Sequence, residues 1–158
     1  GIRVDNYGTG SSNVTTSGTI VQTQTGAGNF DTYGVYAYNA SSATDITLIQ
    51  TAGSISANWF GMYGNNRGTG STKIVSLGDV TAVERAGLYA YNTSSAKNIV
   101  IEKTAGMAKG GTYGIFADND GTGSTTVAVA GTVTASGTYG VFSRNGSRAT
   151  DLAVNQTG

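Results

Sequence analysis

Apolar and polar residues alternate along this chain in short runs, so that successive side chains fall on opposite faces of an extended backbone. Ile46 and Leu48, Ile99 and Ile101, and Leu152 and Val154 are paired in this way, each inside a segment of strand-forming residues. A second set of alternating segments sets an inward row of Ile20, Ile55, Val80, Ala108 and Val133 against an outward row of Thr19, Ser54, Asp79, Met107 and Thr132. No stretch combines an apolar stripe at helical spacing with strong helix formers over three turns, so the pattern predicts an all-β chain.

The segments recur. A unit of glycine, an aliphatic residue, usually an aromatic one, a small one, a variable one and asparagine begins at Gly34, Gly87, Gly114 and Gly140, and in weaker form at Gly1 and Gly61. Between these six glycines the intervals are 33, 27, 26, 27 and 26 residues. Regular spacing in this range marks a solenoid, in which each repeat is one coil. Three strands per coil follow: the glycine-led one, a second such as Thr126 to Val129, and a third such as Thr132 to Ala135. Odd coils carry Gly-Thr-Gly-Ser after the asparagine (Gly8, Gly68 and Gly121 lead it), whereas even coils carry a turn that ends at Ala43, Ala96 or Ala149. The closest repeat is therefore two coils, or 53 residues, as between Gly34 and Gly87.

Residues 1–158 are thus predicted to form a single right-handed parallel β-helix segment of about six three-stranded coils, with right-handedness following from the strong bias of parallel crossovers. Stacking at about 4.8 Å per coil would make a rod about 29 Å long. The surplus in the first coil falls around Thr25 to Asn29, where a loop is expected. Gly158 matches Gly106 of an earlier coil, and nothing caps the first. The segment therefore reads as an excerpt of a longer solenoid or as a unit that stacks on its own kind, end to end or laterally.

Two ladders stand out. Asn6, Asn39, Asn66, Asn92, Asn119 and Asn145 end the first strand of every coil, and their amides are expected to bond turn backbone and one another. Tyr36, Tyr63, Tyr89, Phe116 and Phe142, with Arg3 at the matching place, form an aromatic column expected to face outward, with Tyr38 and Tyr91 beside it. Such a strip could receive a sugar ring or a partner chain, or could simply stabilise the stack. By the same parity Tyr33, Phe60, Tyr113 and Tyr139 are expected to point inward and plug a corner of the core.

Composition narrows the function. The chain has 25 glycines, no proline, cysteine or histidine, and nine basic against nine acidic side chains, which are scattered. Nothing resembles a surface for nucleic acid. No disulfide framework or thiolate metal site can form, and no apolar run reaches the length that spans a bilayer. Asp118 and Asp120 make the only close carboxylate pair in the repeats, but they flank Asn119 in a turn instead of facing each other across a cleft, so no catalytic residue is assigned. Asp45, Asn98 and Asp151 read as polar strand edges. Gly68 to Lys73 lacks the order of a phosphate-binding loop, and the glycine-rich turns lack the aspartates of calcium-binding β-rolls. No cofactor or metal is expected. Asn13 and Asn92 begin formal glycosylation sequences.

The runs GTVTASGTYGVFSRN, GSISANWFGMYGNN and GDVTAVERAGLYAYN resemble the glycine-, threonine- and serine-rich repeats in the passenger domains of Gram-negative autotransporters. That resemblance implies a parallel β-helix exported to the bacterial cell surface or beyond, used for adhesion, aggregation or display. The first expectation is accordingly a non-enzymatic surface solenoid serving as adhesin, stalk or filament-forming module, with itself, a host or cell-surface protein, or a glycan as partner. A carbohydrate-binding or carbohydrate-cleaving β-helix is the second. An ice-binding solenoid is the third; it needs a regular Thr-x-Thr array that Thr132 and Thr134 match and Met107 and Lys109 break.

Overall fold

The computed structural model describes residues 1–23 and 32–157, and in them every regular element is a β-strand. The loop expected at Thr25 to Asn29 lies outside the described residues. In chain order the strands of the first coil are β1 (Ile2–Asn6), β2 (Ser12–Thr16) and β3 (Ile20–Val21). Those of the second are β4 (Tyr33–Asn39), β5 (Ile46–Gln50) and β6 (Ser54–Ala57). The third coil has β7 (Phe60–Asn66), β8 (Thr72–Ser76) and β9 (Asp79–Ala82), and the fourth β10 (Ala86–Asn92), β11 (Ile99–Lys103) and β12 (Met107–Gly110). Then come β13 (Tyr113–Asn119), β14 (Thr125–Val129), β15 (Thr132–Ala135), β16 (Tyr139–Asn145) and β17 (Leu152–Gln156). Every third strand pairs in parallel, giving walls β1-β4-β7-β10-β13-β16, β2-β5-β8-β11-β14-β17 and β3-β6-β9-β12-β15. The protein is a parallel β-solenoid of five three-stranded coils followed by two strands of a sixth.

Residues 53 apart lie two rungs apart on one wall: Val35 and Leu88 both pair with Met62, one from each side. Val35, Met62, Leu88 and Ile115 from the first wall, Ile46, Leu48, Ile74, Ile99 and Ile101 from the second, and Ile55, Val80 and Ala108 from the third close the core. Each larger aliphatic side chain so buried contributes about 1.5–3 kcal/mol of transfer free energy. Leu152 and Val154 keep this register in β17 but have a neighbouring strand on one side only, and they stay about half exposed.

The two-coil period has a physical cause in the turns. The Gly-Thr-Gly-Ser turn of an odd coil sits directly on the turn of the even coil before it. Thr69 N and Thr122 N donate to the carbonyls of Ala43 and Ala96, at 3.0 Å each. Asp45 Oδ1 accepts from Ser71 N (2.7 Å) and Asn98 Oδ1 from Ser124 N (2.9 Å). A Cβ at Gly70 would lie 2.4 Å from Asp45 Oδ1, and one at Gly123 2.2 Å from Asn98 Oδ1. Asp45 and Asn98 are therefore caps for the following turn and more than solvated edges, and glycine is the residue that leaves them room.

The repeat glycine has a different duty. A Cβ on Gly61 would meet Val80 Cγ1 at 2.2 Å and the Gly87 carbonyl oxygen at 2.6 Å, and Gly34 and Gly114 would strike Ile55 and Val133 in the same way. These glycines face the core, and so do Val35, Met62 and Ile115 directly after them. Alternation is thus broken once per coil. Gly61→Ala is expected to cost about 2–3 kcal/mol by overpacking, measured by denaturant titration with the fluorescence of the single tryptophan, Trp59.

Candidate functional site

That break in alternation corrects one sequence-based expectation. Because glycine and the following aliphatic residue both face inward, the residue before them turns outward, on the same side as the aromatic column. Tyr33, Phe60, Tyr113 and Tyr139 do not plug the core; their rings lie against the column, with Tyr33 stacked on Tyr36 at 4.5 Å and Phe60 against Tyr63 at 4.9 Å. Strict period two, carried through a glycine that has no side chain of its own, misses the double inward step.

The outer face of the first wall is therefore a double column of rings. In the inner of the two, Tyr36, Tyr63, Tyr89, Phe116 and Phe142 succeed one another at centroid distances of 5.2, 4.5, 4.6 and 5.2 Å. The Arg3 guanidinium lies 5.3 Å over Tyr36 and closes that end, a cation over the ring's negative face. Tyr38 packs against Tyr7 (5.8 Å) and under Arg67 (5.7 Å), and Tyr91 flanks Tyr89 at 6.4 Å. Much of this surface is spent on self-packing: Tyr36 is 8% and Phe60 7% exposed. Burial, and for Tyr63 the neighbouring phenols Tyr89 and Tyr36, push the hydroxyl pKa of Tyr63 and Tyr89 well above the ordinary phenol range. Tyr36 and Tyr91 are raised by desolvation as well. These phenols keep their protons and remain hydrogen-bond donors.

Between the two columns a cavity of about 330 Å³ opens, with Trp59 and Arg85 among the residues on its border. Arg85 lies 5.7 Å over the Trp59 ring. Asn65, which also borders it, is 9% exposed, and its Oδ1 has no hydrogen-bond partner among the described residues.

The asparagine ladder holds the corner between the first and second walls. Asn39, Asn66, Asn92 and Asn119 are fully buried. Their amides donate to turn carbonyls, as expected, but not to one another: Asn66 Nδ2 to Thr44 O (2.9 Å) and Ser71 O (3.4 Å), and Asn92 Nδ2 to Asn98 O (2.9 Å). The acceptor side alternates with coil parity. In odd coils Oδ1 receives a glycine amide from its own turn, Gly8, Gly68 or Gly121, at 2.9, 2.8 and 3.0 Å. In even coils it receives a hydroxyl from the preceding coil: Ser12 to Asn39 (2.6 Å), Thr72 to Asn92 (2.6 Å) and Thr125 to Asn145 (2.5 Å). This is why Ser12, Thr72 and Thr125 stand in a column where even coils have Ile46, Ile99 and Leu152.

One interior feature is absent from the sequence-based expectations. The inward parity of Ile99 and Ile101 runs on to Lys103, which is fully buried and registers with Ser76 on one side and Val129 on the other. Its Nζ donates to Ser76 Oγ (3.0 Å) and to the carbonyls of Gly78 and Ala105. Desolvation, opposed by the charge of Asp79, pushes its pKa down to about 8. Gln50 continues the column, taking the Ser76 hydroxyl at 2.8 Å.

Asp118 and Asp120 share one guanidinium: Arg144 Nη2 lies 2.6 Å from Asp118 and 3.2 Å from Asp120. Burial raises the Asp118 pKa, and the hydrogen bond from Arg144 opposes the shift. The pair is a bridged turn with no facing carboxylate across a cleft among the described residues. Among the described residues no group of three or more His, Cys, Asp or Glu side chains could hold a metal ion, and no helix is long and apolar enough to cross a membrane. Compared with family models, with curated proteins and with solved structures, the chain matches none.

Proposed function

We propose that this chain is a non-enzymatic solenoid at a bacterial cell surface or outside the cell, a rod that displays one aromatic face to a partner as an adhesin or stalk. The observation that carries the reading is the double column of rings along a single wall, since a rod built only for length has no need to gather its aromatic residues on one face. The repeat resemblance to autotransporter passenger domains points the same way. So does the use of the charged groups: Asp118, Asp120 and Arg144 are spent on one another, as are Lys73 and Glu102 at 3.2 Å. Lateral or end-to-end self-association is a further mode of the same role.

Surface labelling of intact source cells, followed by protease shaving, tests the location; a chain labelled only after lysis would overturn the reading. Incubation with acidic and neutral polysaccharides tests the chemistry. No new chain ends should appear, and depolymerisation abolished by Asp118→Ala would make the protein an enzyme instead. A carbohydrate-binding role is the second reading, favoured by the cavity beside Trp59.

A further inference from the structure

The outer column of rings is interrupted once. Each of its members before the last coil leans on the inner ring of its own coil and on that of the next: Phe60 on Tyr63 (4.9 Å) and Tyr89 (5.3 Å), and Tyr113 on Phe116 (4.9 Å) and Phe142 (5.6 Å). In the fourth coil the residue in register with Phe60 and Tyr113 is Ala86. A ring there would have leaned on Tyr89 and Phe116, whose parallel faces stack at 4.6 Å with 4° between planes. With only a methyl at that position, both rings border the cavity of about 330 Å³, a size within the range of small-ligand sites.

Three independent features say what chemistry would fit. The faces of Tyr89 are taken by Tyr63 and Phe116, so the gap is bounded by ring edges, an apolar wall against which the C–H groups of a pyranose can pack. Asn65 presents a buried Oδ1 that has no donor among the described residues, and a ligand hydroxyl would supply one. Arg85, exposed beside the gap and lying over Trp59, has no acidic partner among the described residues. Its backbone is fixed by Trp59 O on one side and by the amides of Thr112 and Tyr113 on the other. A guanidinium with no acidic partner among the described residues, at the rim of an aromatic notch, is matched by a carboxylate.

Resting on the reading of the rod as a non-enzymatic surface module, we propose that the notch at Ala86 binds a single acidic pyranose unit of a polysaccharide. The sugar ring lies in the gap against the edges of Tyr89 and Phe116, its carboxylate pairs with Arg85, and a hydroxyl donates to Asn65. One site per molecule is expected, because the outer column has an aliphatic residue only in this coil among the described ones. A single monosaccharide unit held this way should bind with a dissociation constant of about 1 mM.

Trp59, the single tryptophan, borders the notch and reports its occupancy. Titration with galacturonic and glucuronic acid trisaccharides should shift its emission saturably, while the neutral trisaccharides of the same linkage bind about ten-fold more weakly. Arg85→Gln, at an exposed position, should erase that difference by bringing the acidic trisaccharides down to the affinity of the neutral ones. Ala86→Phe, which restores the missing ring, should abolish both. Equal affinity for acidic and neutral sugars, full binding to Ala86→Phe, or saturation only by a protein or peptide partner would each overturn the proposal. If Ala86→Phe does not fold, the Arg85→Gln comparison decides. Failure of sugar binding with surface labelling intact would sink the notch and spare the rod.

Discussion

Asn66→Leu is expected to lower the unfolding free energy by about 4 kcal/mol and the melting temperature by about 10 °C. Leucine has the same branched four-atom side chain, somewhat bulkier, so the loss is mainly polar. The amide of Gly68 loses its acceptor, at a site with no access to water, and the carbonyls of Thr44 and Ser71 each lose one of two donors, keeping Asn39 Nδ2 and Ile46 N. The unmatched amide costs about 1–3 kcal/mol and each lost hydrogen bond about 0.5–1.5 kcal/mol more. Asn6 is the internal control. It makes the equivalent bonds to Gly10 O and Gly8 N in an exposed turn of the first coil, where water can replace it, and Asn6→Leu should cost about 1 kcal/mol or less. Calorimetry on the pair decides the matter, and equal losses would show that the ladder acts through local turn propensity instead of buried hydrogen bonding.

Lys103 should make the protein more stable as the pH rises from neutral. Its folded pKa of about 8 lies below the ordinary value of 10.5. The unfolded chain therefore binds the more protons between these two values, and stability climbs with pH through that window. Below pH 8 both states are protonated, and the full penalty of about 3 kcal/mol for burying the cation is present. About 2 kcal/mol of it should be recovered between about pH 7 and pH 9.5. Tyr63 and Tyr89 act in the opposite sense but at higher pH: their raised folded pKa values keep protons that the unfolded chain releases near 10, so their contribution fades only above that point. Denaturant unfolding at stepped pH should show the rise in the native protein and a flat profile in Lys103→Met. A rise of the same size in the variant would mean that another group is responsible.

Most of the architecture is legible in the amino-acid sequence. The glycine and asparagine intervals are long-range information written in one dimension, because a solenoid puts equivalent residues at fixed sequence separation. Coil number, strand order, the 53-residue period and the inward rows of the second and third walls all follow from that spacing. The pairs Val35↔Met62 and Ile55↔Val80 hold the register that counting assigns. Even so, counting places Tyr33, Phe60, Tyr113 and Tyr139 on the wrong side, because it assumes that every residue advances the pleat by one face. Lys103 is legible in principle: the parity of Ile99 and Ile101 carries straight through it, and only the rarity of fully buried lysines argues against placing it inside.

The notch belongs to another category. Ala86 looks unremarkable in the sequence, and its meaning depends on how far the rings of Phe60 and Tyr113 lean across to neighbouring coils, which is a property of packing. Arg85 and Asn65 meet there from different coils for the same reason.

Repeat length and strand parity, both written in the order of the residues, are enough to determine the periodic content: which residues stack, how often, and which faces of two walls are apolar. Where parity fails, which rings share a face and where one is missing were settled in three dimensions. Those outcomes turn on contacts of a few ångströms between side chains of adjacent coils, where a glycine without a Cβ allows two successive residues to face the same way.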